Sequence, residues 1–131
     1  MNKTLKKWGY ELEIINEDYC GKQMVLFQGY HCSTHYHRIK DETFFVASGT
    51  MLLDIEGIIY ILSEGERVRI LPWQKHSFTG LTDCIFFEFS THDDPEDSIR
   101  ITESGIVNDT EWNLLVQNYG DKINDNFGNT I

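Results

Sequence analysis

Two histidines separated by a single residue, His35 and His37, are followed five residues later by Glu42. Side chains alternate between the two faces of a strand, so both imidazoles of an extended segment point to the same side. Two imidazoles on one face and a carboxylate from the next strand supply three ligands of a divalent metal ion. A fourth ligand must come from elsewhere in the chain, and His76 is the best candidate. The spacing therefore predicts a metal site formed by these four side chains.

A further carboxylate, Glu88, lies within the apolar run IFFEFS. Burying a carboxylate costs free energy unless it has a partner or a task. If the Glu88 face of this strand points into the protein, the carboxylate lies near the metal with the raised pKa that a general base needs. If that face points outward, Glu88 is an ordinary residue of an edge strand. Alternation alone leaves both orientations open, because both faces of the strand are largely apolar.

The composition of this 131-residue chain indicates one globular domain, with 13% aromatic residues and a formal net charge of -10. The acidic charge argues against nucleic acid and anionic membranes as partners, since both need a basic surface. No apolar run reaches the roughly 18 residues of a membrane span, and the basic N-terminus has no apolar signal core. Three scattered cysteines without CxxC spacing indicate a reduced, cytoplasmic protein.

Short apolar or alternating segments bounded by turn residues follow one another from Trp8 to Ser90. About nine such strands, with turn signals every 8–12 residues, are typical of an antiparallel sandwich or barrel. Residues 1–7 are interpreted as a loose basic start. Residues 8–15 alternate as a half-buried strand, and the apolar run 22–28 is predicted to be a strand covered on both faces.

The chain changes character after Ser90, where an acidic loop leads to one predicted helix. Asp109 is placed to cap a helix over residues 110–119, and Gly120 stands where that helix is expected to stop. The simplest interpretation is that this helix covers a sheet, while the polar segment 121–131 frays. The sequence therefore predicts a single all-β domain over residues 1–131 with one short C-terminal helix.

The histidine-rich stretch resembles the first sequence motif of the cupin superfamily. That motif is a glycine, five residues, HxH, a short gap, a glutamate, six residues and a glycine, and it is complete here: Gly29, His35, His37, Glu42 and Gly49. In the second cupin motif Gly65 and His76 match, whereas Leu71 replaces the usual proline and Trp73 replaces the usual glycine. Both departures concern turn geometry rather than metal chemistry.

Residues 8–105 resemble a narrower group, the small single-domain cupin sugar isomerases. The phrases WGYE, YCGK, HYHRIKDETF, HSFTGL and STHDD–EDSIR are similar to the D-lyxose isomerase branch and to the cupin domain of bacterial mannose-6-phosphate isomerases. This resemblance implies a double-stranded β-helix, that is, a jelly-roll barrel, and one divalent metal ion. It also implies a small sugar or sugar phosphate as the substrate, and a homodimer, which is common among cupins.

The resemblance also implies roles for two residues outside the metal site. It favours an inward Glu88, which would carry the proton between neighbouring sugar carbons through an enediol. Lys22, in the phrase YCGK, is expected in the pocket, where its ammonium group would hold or protonate a sugar oxygen. Zinc, manganese, iron and cobalt all suit three imidazoles and one carboxylate.

Five further polar residues lie near the motifs. Arg100 resembles a position that meets a phosphate in the mannose-6-phosphate branch. His92 and Asp93 are expected either at the mouth of the pocket or in an exposed acidic loop. Asp41 is interpreted as a turn residue and His31 as a neighbour outside the HxH motif.

Aldose–ketose isomerisation is therefore the expected function, of the D-lyxose/D-xylulose or D-mannose/D-fructose type. Two other classes stay open from the sequence. One is an iron-dependent cupin dioxygenase, because three histidines and a glutamate leave coordination positions for dioxygen. The other is a cupin that binds a carbohydrate without converting it. The polar residues Glu88 and Lys22 favour isomerisation over oxygen chemistry.

Overall fold

The computed structural model describes residues 2–128 of the chain, and the side chains of residues 2–123. This part contains thirteen strands, a short 3-10 turn at Pro95–Asp97 and one helix, α1, at Asp109–Gly128. The strands are β1 Asn2–Lys6, β2 Gly9–Asn16, β3 Tyr19–Leu26, β4 Tyr30–His31, β5 His35–Tyr36, β6 Glu42–Ser48, β7 Met51–Ile55, β8 Ile58–Leu62, β9 Arg67–Ile70, β10 His76–Gly80, β11 Cys84–Thr91, β12 Ile99–Arg100 and β13 Gly105–Ile106.

The strands form two antiparallel sheets that face each other. One sheet has the order β1-β2-β3-β11-β6-β9, and the other has the order β12-β5-β10-β4-β13, with β7 beside β10 and β8 beside β7. Neighbouring strands of the first sheet come from distant parts of the chain, as in the pairing of Glu88 with both Lys22 and Phe44. The predicted all-β jelly-roll fold with one C-terminal helix is confirmed.

Aromatic side chains from both sheets meet between them and form the centre of the core. The rings of Phe44, Phe78 and Phe86 lie edge-on or tilted to one another, with centroids 5.0 to 5.9 Å apart. Trp8 adds an edge contact to Phe78 at 5.0 Å. All four side chains are buried. This cluster fixes the spacing of the sheets, because closely packed aromatic rings tolerate little displacement.

The alternating residues of β2 occupy two faces, and the carboxylate face is the inner one. Glu11 and Glu13 line the interior cavity, whereas Ile14 on the other face is 53% exposed. Half-burial was the prediction for this strand, and the polarity of its faces is the reverse of the usual arrangement. The cavity must therefore be polar where β2 borders it.

The structure corrects two predictions at the ends of the domain. The N-terminal residues predicted as a loose start form β1, which pairs with β2 from Asn2 opposite Glu13 to Lys6 opposite Gly9. The C-terminal helix does not stop at Gly120 but continues through a non-helical φ/ψ at Tyr119 and ends at Gly128. Residues 121–128 are therefore helical rather than frayed, and the last three residues of the predicted tail lie outside the described part.

Four positions of the cupin motifs, Gly29, Gly49, Gly65 and Trp73, have positive φ, and two of them carry tight contacts. Gly49 has φ +82°, and a Cβ atom there would lie 2.1 Å from the carbonyl oxygen of Asp83, so the chain accepts only glycine. Trp73 stands where the second motif has glycine and also has positive φ, at +71°. Its N–H donates to the carbonyl oxygen of His37 at 2.6 Å, and its ring stacks on Tyr36 with centroids 5.7 Å apart. These contacts hold the tryptophan in a conformation that L-residues rarely adopt.

The three cysteines are free and buried. Within residues 2–128, no helix combines the length and the apolar character needed to cross a membrane.

Candidate metal centre and polar cavity

A cavity of about 590 Å³ opens into one end of the barrel. Its wall is formed from both sheets and carries side chains of both charge signs. Seven of the residues considered from the sequence lie in this wall: Lys22, His35, His37, Glu42, Glu88, Asp93 and Arg100. The remaining predicted ligand, His76, is only 1% exposed.

Three histidines converge at the inner end of the cavity. The short strand β5 supplies His35, and His37 follows directly after its last residue. Strand β10 supplies His76, whose Cα pairs with that of His35. One ring nitrogen from each of the three residues lies within 4.8 Å of the others. This spacing fits ligands that share one metal ion, since zinc–imidazole bonds measure about 2.0–2.1 Å.

The outer nitrogen of each ring is held by a backbone carbonyl oxygen. His35 Nδ1 lies 2.8 Å from the carbonyl oxygen of Ser33. His37 Nδ1 lies 2.9 Å from the carbonyl oxygen of Asp97. His76 Nδ1 lies 2.9 Å from the carbonyl oxygen of Gln74. A carbonyl oxygen only accepts, so Nδ1 carries the proton in all three rings. In the neutral rings, Nε2 is therefore an unprotonated lone pair that is free to bind a cation, as in many protein metal sites.

Glu42 adds a carboxylate to this group of lone pairs. Its Oε2 lies 3.1 Å from Nε2 of His37, and its Oε1 lies 3.7 Å from Nε2 of His76. Among the described residues, Glu42 Oε2 and His76 Nε2 are buried atoms with no hydrogen-bond partner. Buried acceptors that face one another without a proton are unfavourable unless a cation lies between them. The three histidines therefore fit a divalent metal ion, and the predicted fourth ligand, Glu42, lies beside two of them but outside the group whose ligand atoms are all within 4.8 Å of one another.

The pKa shifts in this centre favour the protonation states that bind a metal. Burial, followed by the neighbouring His76, lowers the pKa of His35 to about 3. Burial also lowers the pKa of His76. Burial alone would raise the pKa of Glu42, but the contact with His37 and the charge of Lys40 lower it overall. Neutral imidazoles and an ionised carboxylate are the forms that ligate a cation.

Lys40 is a site residue that was not singled out from the sequence. Its side chain is 4% exposed, and its Nζ lies 3.1 Å from Glu88 Oε2, 2.9 Å from Asp93 Oδ1 and 3.4 Å from Glu42 Oε2. No local signal marks this position, because Lys40 lies in a polar turn and two of its partners, Glu88 and Asp93, are 48 and 53 residues away in the chain. This lysine joins the proposed metal ligand to the carboxylate considered as a base.

Glu88 points into the cavity and is 3% exposed. Its Oε2 also accepts a hydrogen bond from Ser90 Oγ at 2.9 Å. Burial raises the pKa of Glu88, the charge of Glu42 raises it further, and the two lysines oppose both effects. A buried carboxylate with a raised pKa, close to but separate from the histidine cluster, has the properties of a general base.

Lys22 lies in the cavity wall beside two carboxylates. Its Nζ contacts Asp93 Oδ2 at 2.9 Å and Glu11 Oε1 at 3.5 Å. Although burial opposes its charge, the carboxylates around it raise the pKa of Lys22. Asp93 accepts from both Lys22 and Lys40, and the pKa of Asp93 is lowered despite burial. Asp93 therefore belongs to the cavity rather than to an exposed loop, the other placement considered for it.

Asp97 is a second residue that sequence reasoning did not identify. Its carboxylate accepts hydrogen bonds from the backbone N–H groups of Arg38, Ile39 and Lys40, at 2.8 to 3.1 Å. Its own carbonyl oxygen accepts from Nδ1 of His37. The donors lie 57 to 59 residues before it in the chain. Backbone N–H groups in such a turn need a hydrogen-bond acceptor. The sequence does not show which distant residue provides that acceptor.

The remaining candidates take peripheral positions. Arg100 lines the outer part of the cavity and is exposed. Asp41 forms a salt bridge with Arg69, whose Nη2 lies 2.6 Å from Oδ2, in keeping with a turn residue. His92 is exposed, with Nδ1 2.7 Å from the carbonyl oxygen of Glu17, and His31 contacts the carbonyl oxygen of Cys32. Asp41, His31 and His92 are not part of the cavity wall.

Comparison with known proteins supports the same fold. A family model described as a cupin domain matches residues 23–89, which include all four proposed ligands and Glu88. No curated protein sequence matches the chain.

Three solved structures illustrate the similarity. KdgF from Halomonas sp. has a TM-score of 0.67 at 15% identity, over 73% of this chain and 90% of that protein. The capsular polysaccharide assembling protein CapF from Staphylococcus aureus has a TM-score of 0.69 at 22% identity, over 77% of this chain and 31% of CapF. Salicylate 1,2-dioxygenase from Pseudoaminobacter salicylatoxidans has a TM-score of 0.58 at 18% identity, over 62% of this chain and 24% of the dioxygenase. The chain thus spans only part of the latter two proteins, and identities this low establish the fold alone.

Proposed function

Since this chain belongs to the cupin domain family, we propose that it is a metal-dependent aldose–ketose isomerase that acts on a small sugar. The observation that carries the proposal is the position of Glu88 and Lys40. Both line the same cavity as the histidine centre, and neither belongs to the cluster of three histidines. Isomerisation needs a base that is separate from the metal ligands, and this arrangement provides one.

In the proposed reaction, His35, His37, Glu42 and His76 hold one divalent ion. When bound, such an ion would supply Lewis-acid polarisation of the sugar carbonyl. Glu88 would remove the proton from the hydroxyl-bearing carbon next to the carbonyl carbon and deliver it to the carbonyl carbon, by way of an enediol, while the proton of that hydroxyl group passes to the former carbonyl oxygen. Lys40, 3.1 Å from Glu88, stabilises the carboxylate form that accepts the proton.

Lys22 lines the cavity, and it keeps the role proposed from the resemblance. Its ammonium group is held by Asp93 and Glu11 and does not contact Glu88 within hydrogen-bonding distance. It is therefore placed to bind a sugar hydroxyl on the Asp93 side of the cavity, while Lys40 acts next to the base. Arg100, exposed at the outer part of the cavity, is the proposed contact for the phosphate of a phosphorylated substrate.

The test is a coupled screen of free and phosphorylated aldoses and ketoses, with zinc, manganese, iron and cobalt each supplied to metal-free protein. We expect one substrate pair to be interconverted, with solvent deuterium entering at the reacting carbon. The variant His35→Gln should lose metal and activity together. His31→Gln, a histidine outside the cavity wall, is the matched control and should retain both. A protein that binds metal and sugar but converts none would instead be a carbohydrate-binding cupin.

Iron-dependent oxygen chemistry is the second candidate, and the three-histidine cluster favours it. Such a site, with the carboxylate of Glu42 beside it, leaves positions for dioxygen and a substrate. Oxygen consumption by the protein loaded with iron under anaerobic conditions separates the two candidates. The charged cavity wall supports the isomerase, since a polyhydroxylated substrate would hydrogen-bond to it.

We also propose that the protein is a homodimer located in the cytoplasm, without nucleic acid or membrane partners. The outer face of the first sheet supports an interface between two copies, because Phe89 and Ile14 on this sheet are 55% and 53% exposed. Light scattering across a range of protein concentrations measures the mass. A monomer at all concentrations would contradict the dimer.

A further inference from the structure

The turn between β5 and β6 places its side chains opposite to what their polarity favours. Ile39 is 78% exposed, whereas Lys40, the next residue, is 4% exposed. A turn left to its own preferences would bury the apolar side chain and expose the lysine. Some contact outside the turn must therefore hold this arrangement.

The ion pairs of Lys40 act on its side chain, and Asp97 is the contact that acts on the backbone of the turn. Three consecutive N–H groups, those of Arg38, Ile39 and Lys40, all point at its carboxylate. Hydrogen bonds to an ionised acceptor are stronger than those between neutral groups. They also lower the pKa of Asp97 against the effect of its burial, so the carboxylate is charged. A turn held by three such bonds has one backbone conformation, which directs Lys40 inward.

The same residue also reaches the metal centre. The Asp97 carbonyl oxygen lies 2.9 Å from His37 Nδ1, which fixes the tautomer and the rotation of that ring. The side chain of Asp97 thus sets the turn, and its main chain sets a proposed ligand of the metal. A displaced Asp97 would disturb the turn and the orientation of His37 at once, because its side chain contacts the turn and its main chain contacts the histidine.

We propose that Asp97 is a positioning residue that couples the metal centre to the Lys40–Glu88 pair. It does not touch the reacting atoms; it acts by turning His37 toward the other ligands and Lys40 toward Glu88. The inference rests on the metal centre of the proposed function and is independent of the sugar chemistry. A protein that binds cobalt tightly but isomerises no sugar would contradict the isomerase and leave this inference testable.

Two variants of Asp97 and one control test the proposal. Both variants keep the main-chain carbonyl. Asp97→Asn also keeps one side-chain acceptor oxygen, whereas Asp97→Ala removes the side-chain acceptors entirely. Asp94→Ala is the matched control, because Asp94 lies in the same segment and its carboxylate accepts only from the N–H of Glu96, at 3.0 Å. Each full-length protein is titrated with cobalt against a competing chelator, and its visible absorption spectrum is recorded.

We expect cobalt affinity to fall in Asp97→Ala by up to about 10–100-fold, the range found when the outer partners of metal ligands are disturbed, because loss of the side-chain anchor displaces the carbonyl that orients His37. Asp97→Asn should fall between Asp97→Ala and the wild type, and Asp94→Ala should match the wild type. The cobalt spectrum should change in the Asp97 variants because the main-chain carbonyl that orients His37 is expected to shift once the side chain no longer anchors this segment to the turn. A variant that unfolds at lower temperature but binds cobalt with wild-type affinity and spectrum would overturn the proposal.

A second measurement follows Lys40 without any metal. Acetylation of lysines in the folded protein, read by mass spectrometry, should be slow at buried Lys40 and fast at exposed Lys75. In Asp97→Asn the rate at Lys40 should rise while that at Lys75 stays constant. Unchanged protection of Lys40 would show that the turn does not depend on Asp97. If neither Asp97 variant folds, Asp97 is a folding residue and the positioning role is also overturned.

Discussion

The interior of the barrel has two ends that are stabilised in opposite ways. At one end, Phe86 and its neighbours fill the space between the sheets with closely packed apolar groups. At the other end, ionisable side chains surround a cavity and are held by ion pairs and hydrogen bonds. Four strands contribute to both ends, and each changes character within two residues: Met24 to Lys22 in β3, Phe44 to Glu42 in β6, Phe78 to His76 in β10, and Phe86 to Glu88 in β11.

This difference between the apolar end and the polar end shows how a small domain combines stability with a reactive site. Truncating a side chain in an apolar core lowers the free energy of unfolding, and the loss grows with the volume of the cavity that remains. A buried charge network depends on complete pairing, and loss of one partner leaves another charge uncompensated. Substitutions at the apolar end should therefore affect stability with little effect on the site, whereas substitutions at the polar end should affect the chemistry and also the balance of buried charge.

The largest expected effect is that of Glu88→Gln at the polar end. The change keeps the shape of the side chain and removes the base, so turnover should fall about 10²–10⁴-fold. Metal content should stay at the wild-type level. The measurement pairs elemental analysis with exchange of the substrate carbon-bound proton into deuterated solvent. Wild-type exchange would place the base elsewhere, at Glu42 or Asp93, and loss of metal would make Glu88 a ligand or a folding residue.

At the apolar end, Phe86→Ala should lower the free energy of unfolding by about 3–5 kcal/mol, because Phe86 is fully buried and the cavity cannot refill. Denaturant titration of the variant and the wild type measures this difference in the free energy of unfolding. Cobalt affinity of the folded variant should equal that of the wild type. Phe87→Ala, a half-buried neighbour on the opposite face of β11, is the control and should cost much less. A change in cobalt affinity with Phe86→Ala would show that the two ends are coupled.

The dependence of stability on pH should separate the two ends further. Because the pKa of His35 is lowered to about 3 from 6.5, the unfolded chain binds more protons than the folded one between these values. Metal-free protein should therefore lose stability as the pH falls below 6.5, by at most about 1.4 kcal/mol per pH unit for each such histidine.

Glu88 acts in the opposite direction, since burial raises its pKa. Denaturant unfolding of His35→Gln, compared with the wild type at several pH values, isolates the histidine contribution. The slope should be shallower in the variant. Parallel pH profiles would mean that His35 is not buried in its neutral form in the metal-free protein.

The smallest effect is expected far from both ends, in α1. Ile123 is 6% exposed, within the segment that the sequence predicted to fray. Ile123→Ala should lower the free energy of unfolding by about 1–2 kcal/mol, less than a core substitution, because the residue lies outside the central cluster. Leu114→Ala, at 53% exposure in the same helix, should be nearly neutral. Equal effects of the two variants would mean that Ile123 does not pack in solution.

The sequence predicted the strands and the ligand candidates because both rest on short-range spacing. HxH spacing puts two rings on one face, and alternation marks each strand whatever the tertiary structure. Alternation does not say which face is inside, so the inward carboxylates of β2 came only from the structure. The same holds for Glu88, whose orientation was open until β11 was seen between β3 and β6.

Lys40 and Asp97 were missed for a different reason. Each has ordinary neighbours in the sequence, and each is defined by partners in distant segments. A lysine and an aspartate in polar loops are usually solvated, and nothing local marks these two as buried. The helix boundary was misplaced because Gly120 commonly ends helices, whereas burial of Ile123 accompanies a continuation beyond it.

The hydrogen bond between His37 and the Asp97 carbonyl joins residues 60 positions apart. During synthesis, the HxH motif leaves the ribosome well before the residue that orients one of its rings. Neither that ring nor the Lys40 turn can reach its final geometry until residue 97 has emerged and β11 has inserted. Metal ions met by the nascent chain would encounter loose histidines without selectivity. Any preference among metals can therefore appear only once the segment that carries Asp97 has folded against the HxH motif.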